Sequence, residues 1–87
     1  MKATTIQTYL FDKNYWTKTK AKAWLKKHRK VSVVEEERGY FHARQIDPDL
    51  FDRRSFRTIV LDEATGFKAV VGHLHFSHQI RGSRFDV

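Results

Sequence analysis

The chain has 87 residues, with 17 Lys and Arg against 10 Asp and Glu and a formal net charge of +7. That length predicts one domain, 1–87. The absence of cysteine excludes a disulfide framework and thiolate chemistry and favours an intracellular setting. No early apolar run reads as a signal peptide, and no window has the length of a membrane span, so no membrane partner is expected.

Residues 4–11 are rich in β-branched and aromatic types and predict a first strand. Strict alternation groups Ile6, Thr8 and Leu10 on one face and Gln7, Tyr9 and Phe11 on the other. Asp12, Lys13 and Asn14 then predict a turn. Residues 15–30 carry the clearest helix signal. Thr17 is the expected N-cap, with Trp16 before it placed to staple onto Ala21. Ala21, Trp24, Leu25 and His28 fall at i, i+3, i+4 and i+7 and form one inward stripe.

The same segment holds the charge. Lys18, Lys20, Lys22, Lys26, Lys27, Arg29 and Lys30 lie in it with no acid between them, so the rest of the chain is electrically balanced. Lys18 and Lys20 fall in the first helical turn, where the helix dipole prefers acids, and Lys20 occupies the position at which a glutamate would close a capping box. Lysines four apart also repel. Breaking these local rules without compensation marks a segment shaped by function.

Residues 30–35 predict a second strand, with a turn through Glu36 and Gly39. Residues 40–46 predict a third, with Phe41 and Ala43 inward and Tyr40, His42 and Arg44 outward. Asp47 and Pro48 open a short helical turn, with Leu50 and Phe51 as its anchors. Residues 55–61 and 67–74 predict a β-hairpin, and residues 75–87 a fraying tail. The order β-α-β-β-short helix-β-β predicts an α+β fold: a small antiparallel or mixed sheet of five strands with one basic amphipathic helix packed on it.

Several of these stretches resemble a family of small proteins, most of them uncharacterised, from tailed phages and other DNA viruses. The pattern runs through Phe11-Asp12-Lys13, Trp16-Thr17, Ala21-Lys22-Ala23-Trp24-Leu25, the strand Tyr40-Phe41-His42-Ala43-Arg44-Gln45, and Phe56-Arg57-Thr58 before a hairpin. The resemblance covers residues 5–74. Members occur alone or near phage head-maturation genes. It implies the fold and a viral origin, hence the cytoplasm of an infected cell or the virion. Its first helical turn is usually acidic, where this chain has lysines.

The cationic helix predicts non-specific binding to the phosphates of DNA or RNA, since lysines at phosphates give affinity without base reading. Tyr40 and Arg44 on a sheet face are candidates to stack single-stranded bases. Arg53, Arg54 and Arg57 have Asp49 and Asp52 close enough to neutralise them. His73, His75 and His78 are the only candidate metal ligands, with no cysteine and no fourth group to complete a site. No nucleophile elbow or phosphate-cradling glycine loop is present, and Glu35, Glu36 and Glu37 alternate sides along a strand. The expectation is therefore a non-enzyme without a cofactor. Its alternatives are a viral accessory protein docking on an acidic host or virion protein, a homo-oligomer formed through the glutamates, and a metal-dependent nuclease.

Overall fold

The computed structural model describes residues 4–75. Thr5–Asp12 forms β1, Lys18–Lys27 α1, Glu35–Glu37 β2, Tyr40–Arg44 β3, Arg57–Asp62 β4 and Phe67–Gly72 β5. The strands make one sheet in the order β2-β3-β1-β5-β4, with every neighbouring pair antiparallel. α1 packs on one side of it, so the domain is the α+β layer expected from the sequence.

Two cross-strand rows build the core. Phe11 on β1 lies between Phe41 and Phe67, and Tyr9 lies between Ala43 and Ala69. The alanines leave room for Trp24, which meets Tyr9 with ring centroids 5.2 Å apart and Phe67 at 4.8 Å. Ala21 and Leu25 are fully buried in this cluster. Trp16 also turns toward the sheet. Its ring lies 4.8 Å from Phe11 and 5.6 Å from Phe67, and its Nε1 donates to the Thr65 carbonyl at 3.1 Å. It therefore anchors the start of the helix to the sheet, where a staple onto Ala21 was expected.

β1 departs from strict alternation. Its register against β5 slips between Ile6 and Thr8, so Ile6 joins Tyr9 and Phe11 on the helix side. Gln7 sits at the slip, buried, with its amide donating to the Ile46 carbonyl at 2.9 Å and accepting from the Thr8 hydroxyl. Thr8 and Leu10 face the other side.

The second strand is displaced. Residues 30–34 do not pair with β3; β2 is the glutamate triplet, and the hairpin turn is Arg38 and Gly39, with Gly39 at φ 81°. The Gln45 side chain explains the shift. Its amide accepts from Val31 N–H and donates to Val31 C=O, both at 2.9 Å, so a side chain satisfies backbone groups that a strand would have paired. Val34 then turns into the core.

Phe51 is buried as expected, while Leu50 stays exposed. Beyond the expected 3-10 turn at Pro48–Leu50 there are two more, Arg53–Ser55 and Glu63–Thr65. Each is opened by an aspartate (Asp47, Asp52, Asp62) whose carboxylate accepts the N–H two residues on, at 2.9–3.1 Å. β5 ends at Gly72. Leu74 bridges Phe51 instead of extending the hairpin.

Candidate nucleic-acid interface

α1 is held at both ends by local chemistry. The Thr17 hydroxyl accepts from Lys20 N–H at 3.1 Å, as expected of the N-cap. At the other end Lys30 N–H donates to the Leu25 carbonyl at 2.8 Å and Arg29 N–H to the Lys26 carbonyl at 3.1 Å. This is the Schellman pattern, whose left-handed position normally holds glycine. Here it holds Arg29, at φ 58°. Arg29 and Lys30 thus lie on the terminating turn rather than on the helix.

All seven cations, Lys18, Lys20, Lys22, Lys26, Lys27, Arg29 and Lys30, are exposed. At 3.6 residues per turn, Lys18, Lys22 and Lys26 form a row along one shoulder of α1, and Lys20 and Lys27 lie on the other. Exposed Thr19 and Ala23 form the crest between them. The first row spans roughly 12 Å of axis, the length of about three to four successive phosphates on one strand of a duplex. Lys26 and Lys27 sit in the last turn, where the helix dipole favours cations; Lys18 and Lys20 sit where it does not.

Among the described residues the ion pairs are Lys13 with Glu36 at 2.9 Å and Arg53 with Asp49 at 3.2 Å. Neither uses a cation of the helix. Glu36 is held below the usual carboxylate range by the hydrogen bond and charge of Lys13, with a lesser pull from Lys18. The acid that feels Lys18 is thus already paired with Lys13. His28, expected on the inward stripe, is instead exposed at the C-cap of α1, because the helix ends at Lys27. Its ring stacks on Trp24 at 4.0 Å and its Nδ1 donates to the Trp24 carbonyl at 2.8 Å.

Tyr40 and Arg44 do not join this surface. Phe41 and Ala43 face the helix, so Tyr40, His42 and Arg44 lie on the opposite face of the sheet. Tyr40 is half-buried, and its hydroxyl accepts from Lys68 Nζ at 3.0 Å, with that ammonium 5.4 Å from the ring centre. The hydrogen bond to the Tyr40 hydroxyl and the charge of that group hold the Lys68 ammonium above the usual lysine range, with a lesser pull from Asp12. Glu37 lies opposite Tyr40 and Glu35 opposite His42. Arg44 and His42 line a shallow depression of about 270 Å³ with both glutamates at its rim. Two carboxylates beside the candidate stacking residues repel a phosphate backbone, which sequence spacing alone did not reveal.

Asp49 neutralises Arg53, as expected for that cluster, while the Asp52 carboxylate accepts from Arg54 N–H. His73 and His75 do not continue a strand. His73 N–H donates to Ser55 Oγ at 2.8 Å, and His75 Nε2 lies 3.1 Å from the Asp49 carbonyl. His78 lies outside the described residues. Among the described residues no group of three or more His, Asp or Glu is placed to hold a metal. No helix there is long and apolar enough to cross a membrane.

No protein-family model, curated protein or solved structure matches this chain.

Proposed function

We propose that the chain is a small, non-catalytic, phage-type protein whose cationic helix binds the phosphate backbone of nucleic acid without sequence specificity. One observation carries the reading: seven exposed Lys and Arg side chains on one segment, none paired with a carboxylate among the described residues. Such unpaired cations hold counterions that a polyanion releases on binding. Six of the seven are lysine, a hydrated point charge suited to phosphate contact and poorly suited to bidentate reading of base edges. The phage resemblance of the packing motifs supplies the setting, an infected cell or a virion.

Mobility shift over a salt series tests this. Contact with about five phosphates gives a slope of log K against log salt of roughly −4.5 on duplex DNA. Replacing Lys22, Lys26, Lys27 and Arg29 with Gln abolishes the shift while the circular dichroism spectrum stays that of the parent. A parent protein that shifts neither DNA nor RNA at low salt sinks the reading, and recovery of an acidic protein partner would replace it.

A further inference from the structure

The two edges of the sheet are built differently. β2 is three residues long, and all three are glutamates. A second β2 beside it would set carboxylate against carboxylate, and so short a strand offers few backbone groups to pair. β4 is six residues long and holds no lysine or proline. Its outward N–H and C=O groups find no partner among the described residues. Val60 is 56% exposed and Leu61 41%, two adjacent apolar side chains on an edge that no other described residue covers. The one irregularity, a slip at Leu61, lies beyond four regularly paired residues.

We propose that β4 is a self-association edge, at which a second copy of this chain adds its own β4 in antiparallel to make a continuous ten-stranded sheet. The charges select this occupant. β4 begins with Arg57 and ends with Asp62, so an antiparallel copy brings the cationic end of each strand to the anionic end of the other, twice. Side chains on one face pair only with side chains on that face. Arg57 and Ile59 share the helix side with Val71 and Ala69, and Thr58 and Val60 share the open side with Val70 and Lys68. The register meeting both conditions sets Ile59 against Ile59 of the second copy and Thr58 against its Val60. These three are β-branched residues, well suited to cross-strand pairing.

The two-fold axis stands perpendicular to the sheet, so both α1 helices lie on one face. α1 stands over β1 and β5, which puts the two helices roughly 20 Å apart at 4.8 Å per strand. The pairing stands on the edge alone and does not require that α1 bind nucleic acid.

Sedimentation equilibrium on the full chain, over a concentration series reaching the millimolar range, tests the proposal. The expected result is a reversible monomer–dimer equilibrium. Thr58→Lys weakens it roughly tenfold, because the symmetry counts the substitution twice. Arg57→Glu, which in this register stands opposite Leu61 and one position from Asp62 of the second copy on the same face, adds a like charge there and weakens it more than Arg57→Gln does. Circular dichroism checks that each variant keeps the parent fold. A chain that stays monomeric throughout overturns the proposal. So does a dimer indifferent to Thr58→Lys and to the sign of charge at position 57.

Discussion

On its inner side α1 buries Ala21 and Leu25 completely against a sheet of stacked rings. One residue further round, it leaves a row of lysines that pair with no carboxylate among the described residues. The inner side follows every packing preference of a small amphipathic helix. The outer side violates the dipole preference at Lys18 and Lys20, the charge-spacing preference along Lys18, Lys22 and Lys26, and the glycine preference at Arg29. The two sides share one backbone, so the aromatic packing on the inside stabilises a surface that local chemistry disfavours. Stability is concentrated in one half of the helix and net charge in the other.

The sharpest way to break that comparison is to cut the core. Phe11 is fully buried between Trp16, Trp24 and Phe67, and Phe11→Ala should cost about 3–5 kcal/mol in urea denaturation. Lys22→Ala should stay within about 0.5 kcal/mol of the parent. A comparable loss from Lys22→Ala would show that the outer row stabilises the fold after all. Arg29→Gly divides the two sides within a single residue. Glycine removes the left-handed strain and should raise stability by about 1 kcal/mol, seen as a higher melting temperature. The same change removes a cation, so the salt slope of binding should shrink by about 0.9 if Arg29 contacts a phosphate.

The smallest effect belongs to Lys13 and Glu36, the pair nearest the basic segment. The Glu36 carboxyl is depressed in the fold, so its stabilisation is fully present above the ordinary glutamate range. It is lost as pH falls through the depressed value. The denaturation midpoint of the parent should therefore lie slightly above that of Glu36→Gln at neutral pH, and the two should converge in acid. A gap that persists or widens in acid would contradict that sign.

What the sequence made legible was local. The Thr17 cap, the Ala21–Leu25 spacing, the Phe41 and Ala43 alternation, and the Asp47-Pro48 turn each depend on residues a few positions apart, and each is found in the structure. What it hid depended on distant partners. Nothing near Gln7 announces that one residue is extra, because the slip is defined by pairing with β5, some sixty residues away. The valines at 31, 33 and 34 carry strand propensity, but the Gln45 amide takes the backbone of Val31 and moves the paired strand onto three glutamates. For the candidate interface, helical spacing placed Lys18, Lys22 and Lys26 in one row flanked by Lys20 and Lys27, but it also carried Arg29 into that row, and Arg29 lies on the left-handed turn that ends the helix. The separation of Tyr40 and Arg44 from them, and the glutamates beside them, required knowing which face of β3 the helix covers.

The hydrogen bond from Trp16 to Thr65 spans 49 positions, and the rings that hold Trp24 include Phe67. On a ribosome these partners emerge long after the helix they hold. Until β5 is made, α1 is a short, self-repelling segment with half of its docking surface missing, below the length at which isolated helices persist in water. The cationic surface therefore becomes a fixed shape late in synthesis. A chain interrupted before residue 67 carries the same lysines without the geometry that presents them.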